Sequence, residues 1–357
     1  MADTSERIDP STVERDLAWS HEIVQDVSRT FAITIDVLEE PMSTSICVGY
    51  LLCRIPDTIE DAGHIPPAQK VQLLRTYDAV LDPDDPTTVE QFETDVQEWV
   101  PAETNADWEL VAQTERVIRV FRAQPDRIRG SIRPPARELV GGMVTFVERY
   151  ASEGGLRLQA RQELHEYCHY AAGTVGELVT NLVCSEGTPT ETCDPLEENA
   201  EAFGLALQLV NIAKDVGADF HEEDNVYLPA DELADAGVDQ DNLADPDNAD
   251  GVVSVVRRTI DDARTYLDDA QTWLEHVPER AGNRTAGWAI PYLLAVGTLR
   301  EVREHPEDVL TESGVKVSRK EVFAVVSAMS SKGRDALPSF RERIASAPFH
   351  QQPTSAD

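Results

Sequence analysis

The sequence predicts an all-α, single-domain bundle. Three observations carry this: apolar residues recur at three- and four-residue steps through most of the chain, convincing strand alternation is absent, and Pro- or Gly-rich breakers fall between the periodic segments.

Residues 1–14 are polar and acidic without such a pattern, so a flexible N-terminus is expected. Helical periodicity runs over 17–38 and, after Pro41, over 43–52, and the acidic residues 57–61 follow on what should be the same helix. Pro66-Pro67 and the run 82–86 then interrupt the chain. Further periodic stretches cover 110–121, 138–150, 162–183 and 198–220, separated by Pro134-Pro135, Gly154-Gly155 and Pro189. An acidic, Ala/Asp-rich excursion over 230–251 reads as surface, and helical patterning resumes over 252–275 and 286–304. The helical domain is thus expected over 15–346, with a disordered tail at 347–357.

With 357 residues, 41% of them apolar, the chain can bury a continuous core. Its formal net charge is −35, from 66 acidic and 31 basic residues. Five of the basic residues are lysines, at 70, 214, 316, 320 and 332. So large an acidic excess excludes nucleic acid as a partner, since phosphate binding needs a basic footprint. It also opposes anionic lipid surfaces at low salt. At about 1 M salt the Debye length falls to about 3 Å, and a carboxylate-rich surface then keeps a protein soluble without repelling itself apart. The composition therefore points to a halophile.

The five cysteines lack metal-ligand spacing, and most sit in apolar stretches where reduced core thiols are expected. No apolar signal region opens the chain, and the longest apolar stretch, 289–299, is too short to span a bilayer. A cytoplasmic monomer without a transmembrane segment is expected, any bilayer contact being peripheral.

Chemistry enters with Asp57-Thr58-Ile59-Glu60-Asp61. Residues three and four apart share a helix face, so Asp57, Glu60 and Asp61 converge. Taken alone, a helix ending in solvated acids would look the same; the position directly after an apolar run argues otherwise. A second stripe is formed by Gln208, Asn211, Asp215 and Asp219, in a helix that is apolar nearly all round. Such a stripe implies an internal polar cavity, where carboxylates need a metal or a cationic partner. With oxygen ligands and no clustered His or Cys, Mg²⁺ is the expected ion, held by carboxylates while sharing substrate phosphates. Acidic motifs on facing helices suit ionisation of a diphosphate beside an apolar cavity.

Several segments then resemble one family. They are Ser28-Arg29-Thr30-Phe31-Ala32, Tyr50-Leu51-Leu52-Cys53-Arg54 running into residues 57–61, Tyr167-Cys168-His169-Tyr170-Ala171-Ala172-Gly173, and the segment from Gly204 to Asp219. Together they resemble the squalene/phytoene synthase family over residues 17 to 330. The resemblance implies an isoprenoid-synthase-type helical bundle around a central cavity. It implies Mg²⁺ on Asp57, Glu60, Asp61, Asp215 and Asp219, and catalytic roles for Tyr50, Arg54 and Tyr167. It also implies substrate-binding roles for Ser28, Arg29, Phe31, Gln208, Asn211, Lys214 and Tyr227. Val315-Lys316-Val317-Ser318-Arg319-Lys320 is similar to a basic segment of the family, implying that Lys316 and Arg319 bind NADPH.

The first acidic motif and residues 167–173 resemble the squalene-synthase branch; Asp215-Val216-Gly217-Ala218-Asp219 and Asn225-Val226-Tyr227-Leu228-Pro229 look more like the phytoene-synthase branch. Lys214 stands where an arginine is usual, and Glu222-Glu223-Asp224 replaces an expected basic residue. The first branch is preferred: two farnesyl diphosphates join head to head through presqualene diphosphate and are reduced by NADPH to squalene. The alternative joins two geranylgeranyl diphosphates to phytoene without NADPH. A terpene cyclase, or a helical metal-binding protein without catalysis, are readings from other classes. The charge makes one prediction directly: helicity, followed by circular dichroism, is held in about 1 M KCl and lost in dilute buffer, and an unchanged spectrum in dilute buffer would refute the halophilic reading.

Overall fold

The computed structural model describes residues 9–184 and 188–352. Helix α1 (Pro10–Val27) starts earlier than expected, because Asp9 accepts from the Ser11 N–H and proline occupies the first turn, where a missing N–H costs nothing. Ser28 splits the helix expected over 17–38. It ends α1 and caps α2 (Arg29–Val37), its hydroxyl accepting from the Phe31 N–H.

In α3 (Met42–Asp61) all residues are buried except Tyr50, Arg54, Asp57 and Asp61. These four recur at the spacing of one helical face, so a single polar stripe interrupts an otherwise buried helix. Helix α4 (Pro67–Leu81) and α5 (Thr114–Ala123) lead to α6 (Asp126–Arg149), which packs on α3 and α4. Pro134-Pro135, expected to separate two segments, lies inside α6. Ile132, Pro135, Ala136 and Leu139 are buried there, and this packing outweighs the lost backbone hydrogen bonds.

Helix α7 (Arg161–Cys168) passes through a wide π turn, His169–Gly173, into α8 (Thr174–Val183). The long α9 (Thr190–Lys214) returns alongside it. Their backbones touch: a methyl group at Gly176 would lie 2.1 Å from the Ala200 carbonyl oxygen, and one at Gly204 2.1 Å from that of Ala172. Only glycine fits at either contact. At the far end of this hairpin Cys184 and Cys193 form a disulfide, while Cys47, Cys53 and Cys168 are free and buried. Two of the five thiols expected to be reduced are therefore paired, through a tertiary contact that no sequence spacing announces.

Helices α10 (Ala249–Thr265), α11 (Leu267–His276) and α12 (Thr285–Glu304) complete the ring, with Phe203 of α9 stacked on Trp273 and Trp288 of α12 edge-on to the same indole. Outside α12 lie α13 (Arg319–Lys332) and α14 (Leu337–Ser346). No strand forms among the described residues beyond one isolated bridge, Arg157 with Val226. The all-α expectation holds, but the tail does not hang free from residue 347. Phe349 is buried, and its N–H donates to Glu321 at 2.8 Å.

Glu321 also accepts both arms of Arg300, at 2.8 and 2.9 Å, and Arg300 reaches the Ile344 carbonyl at 2.6 Å. This fully buried pair ties α12, α13, α14 and the tail together. Removing one partner leaves a charge without water or counterion, so Arg300→Ala should lower stability by about 3–5 kcal/mol, measured as a shift in the urea midpoint in molar KCl. A shift below about 1 kcal/mol would show that this network does not anchor the C-terminal layer.

Candidate active site

A cavity of about 460 Å³ lies between α2, α3, α6, α8, α9 and α12. Phe31, Leu139, Val179, Phe203, Leu207, Trp288 and Leu294 make an apolar wall. Ser28, Arg54, Asp57, Gln208, Asn211 and Lys214 line the same space, the last five from the C-terminal parts of α3 and α9. One chamber thus combines a hydrocarbon-compatible wall with a charged patch. Tyr50 sits at the junction, its ring stacked on Phe31 at 4.5 Å between centroids. Burial pushes its phenol up to about 12, so the group stays neutral.

Behind the wall, carboxylates crowd. Asp57 is ion-paired with Arg54, whose Nε also donates to Asp107 at 2.8 Å. Asp215 is ion-paired with its neighbour Lys214. The remaining acids have no such cation. Burial, then the Asp57 charge, raises Glu60 to about 8, and the same two causes lift Asp61 well above the usual carboxylate range. Asp219 is raised to about 8 by burial and then by Glu223 and Asp215; Glu223 is raised to about 7 by burial and then by Asp57. The first and second acidic motifs therefore lie in each other's field, with Glu223 between them.

Glu60 turns away from the chamber. Tyr167 donates to its Oε2 at 3.2 Å and contacts the Tyr227 hydroxyl at 3.3 Å, to which Asn225 donates at 3.1 Å. Lys70 is buried and donates to the Glu60 carbonyl oxygen. Glu60 Oε1 is buried without any hydrogen-bond partner. Glu60 therefore faces the α7 side, and the fit to a hard cation rests on the donor set of Asp57, Asp61, Asp215 and Asp219, which offers only carboxylate oxygens and includes two acids, Asp61 and Asp219, without an ion-pair partner among the described residues.

The structure brings together Ser28, Phe31, Tyr50, Arg54, Asp57, Gln208, Asn211 and Lys214 on one cavity wall. Tyr167 and Tyr227 are buried behind α3, not on that wall. Asp219 does not continue the stripe of α9 as a regular helix. The helix ends at Lys214, and Asp219–Glu223 form a π turn that ends on Asp224 in the left-handed region. Gly217 lets this segment pack closely on the 306–310 turn, since a methyl group there would meet the Leu310 carbonyl oxygen at 2.4 Å. Lys316 and Arg319 are exposed and off the cavity wall, although the adjoining Val315 N–H donates to the Lys214 carbonyl at 3.0 Å. The Arg29 side chain lies outside the described residues.

Sequence reasoning missed Glu223, Lys70, Asp107 and Asn225. Glu223 had a signal, standing four residues past Asp219 as Asp219 stands four past Asp215. Lys70 and Asp107 had none, because only folding brings them to α3.

Comparison with known proteins agrees with this geometry. Residues 24–321 match the squalene/phytoene synthase family. The chain belongs to that family. It is 25% identical over 336 residues to the squalene synthase of Dictyostelium discoideum, covering 94% of this chain and 75% of that protein. Against the squalene synthase of Homo sapiens it is 24% identical over 353 residues, covering 98% and 78%. A solved complex of TcSQS with the ligand E5700 superposes with a TM-score of 0.77 at 25% identity, covering 93% of this chain and 92% of that one. A dehydrosqualene synthase shares the fold, with a TM-score of 0.63 at 20% identity, covering 90% and 98%. The chain is accordingly a prenyltransferase, and head-to-head prenyl condensation is its reaction class.

The raised acids give a signed pH dependence. A carboxyl whose folded value lies above its unfolded one stabilises fully below about pH 4 and loses that contribution as pH rises through about 8. In EDTA and molar KCl the Tm should therefore fall between about pH 5 and 8. Mg²⁺ should reduce the fall, and Asp219→Asn should flatten it. A Tm that is constant or rises across this interval would contradict the assigned crowding.

Proposed function

We propose that the chain condenses two molecules of farnesyl diphosphate, through presqualene diphosphate, to squalene, using Mg²⁺ and NADPH. The observation that carries this reading is the partition of one cavity into an apolar wall and a polar patch backed by two facing acidic motifs. A prenyl chain fits the former and a diphosphate the latter.

Asp57, Asp61, Asp215 and Asp219 would hold Mg²⁺, with Glu60 behind them, and the bound ion supplies charge stabilisation to the departing diphosphate. Arg54 and Lys214 balance Asp57 and Asp215 and line the chamber beside them, so they would also be placed to pair with a diphosphate held there. Ser28, Gln208 and Asn211 would complete its polar surroundings. Lys214, a point charge instead of an arginine fork, orients phosphate less strictly. Phe31 and the neutral ring of Tyr50 face the allylic carbocation, which an aromatic face stabilises without trapping it. The apolar wall keeps water from quenching that cation. Tyr167 and Tyr227, bonded to each other and to Glu60, hold the first acidic motif in register. Lys316 and Arg319 would hold the phosphates of NADPH, which supplies the hydride for the final reduction.

Incubation with farnesyl diphosphate and Mg²⁺ in molar KCl should give squalene only when NADPH is added, identified by mass spectrometry. Asp57→Ala and Asp215→Ala should each abolish diphosphate release while retaining the helical spectrum. Phytoene from geranylgeranyl diphosphate, indifferent to NADPH, would replace this reading by its sibling, and turnover in both variants would refute the metal assignment.

A further inference from the structure

The acidic character of the chain is interrupted along 313–334, as it is along the arginine-rich stretch 116–137. From Ser313 to Arg334 the only acid is Glu321, and it is buried against Arg300. The same stretch holds three of the five lysines, Lys316, Lys320 and Lys332. Elsewhere, arginines such as Arg137, Arg149 and Arg161 are each held by two carboxylates. Lys316, Arg319 and Lys320 are exposed and make no ion pair among the described residues.

Helix α13 gives this stretch its shape. Glu321, Val325 and Met329 point inward at four-residue steps. The opposite face carries Arg319, Lys320, Phe323, Ser327 and Ser330, all exposed. Phe323 is 75% exposed and is the single large hydrophobic residue so placed among the described residues. An aromatic ring in water flanked by unpaired cations, on a face free of acids, is complementary to a lipid surface with anionic headgroups. No described helix is long and apolar enough to cross a membrane, so such contact is peripheral.

We propose that the exposed face of α13 docks the protein on a bilayer containing anionic lipid, with Phe323 inserted at the headgroup boundary and Lys320 paired to a phosphate. Molar salt favours this geometry. It screens the long-range repulsion between the bilayer and the rest of an acidic surface beyond about 3 Å. Contacts made within that distance, and the burial of the phenyl ring, persist. The loop leading into α13 is tied to the chamber by one backbone bond, from the Val315 N–H to the carbonyl of Lys214. The docking surface deepens the reading of a hydrocarbon-producing enzyme, for which a bilayer receives the product.

Retention on sedimented vesicles tests the proposal without turnover, so its failure would leave the activity reading untouched. The full chain, in about 1 M KCl, should be retained by phosphatidylglycerol-containing vesicles and not by pure phosphatidylcholine. The double variant Lys320→Glu with Phe323→Asp should lose retention by about tenfold or more, with its circular dichroism, Tm and activity on detergent-dispersed substrate unchanged. Equal retention by both vesicles, or retention that survives the double substitution, overturns the assignment. A raised KM for NADPH in the double variant with vesicle retention intact would give Lys320 and Phe323 to the cofactor, beside Arg319, and overturn the docking role.

Discussion

Carboxyl groups held out of water at one end of an apolar chamber set the terms for the rest of this structure. Around Asp57, the carboxyls of Glu60, Asp61, Asp219 and Glu223 crowd where burial and mutual repulsion both oppose their ionisation. An isolated helix could not hold such a group of charges together. Here the surrounding bundle does so, and cations are spread through it to match: Arg54 on Asp57, Lys214 on Asp215, Lys70 against the end of α3. The uncompensated remainder leaves the site with carboxyls that no ion pair among the described residues balances.

Holding that charge requires a rigid frame, and the frame is built from close backbone contact. Gly176 and Gly204 allow α8 and α9 to meet backbone to backbone, which positions Asn211 and Lys214 opposite α3. Trp273, Trp288 and Phe203 fill the space beyond as an aromatic cluster. The Arg300–Glu321 pair fixes α13 and the tail to α12, so that the chamber wall formed by Trp288, Pro291 and Leu294 is supported from outside.

Charge is thus sorted by location. Acids with raised proton affinity gather behind the chamber, while the exposed face of α13 carries none. That last face cannot be explained by the demands of the chamber, since its side chains do not reach the wall, nor by a uniform acidic surface.

The sequence by itself determined the all-α class, the position of both acidic motifs and most of the chamber-facing residues. These come from periodicity: Tyr50, Arg54, Asp57 and Asp61 share a helix face whatever surrounds them, and Gln208 and Asn211 are polar interruptions of an apolar helix. Tertiary structure alone decided which way each carboxylate points. Glu60 is directed to Tyr167 because α7 packs there, although its spacing from Asp57 would place it in the chamber. Asp219 opens a π turn, beyond the regular helix that ends at Lys214, where Gly217 packs closely on Leu310. Asp107 and Lys70 are remote in sequence from the groups they balance, and the Cys184–Cys193 contact depends on two helix ends meeting. Local spacing fixes the face on which a side chain lies; its partner, and hence its charge state, depends on packing between segments far apart in the chain.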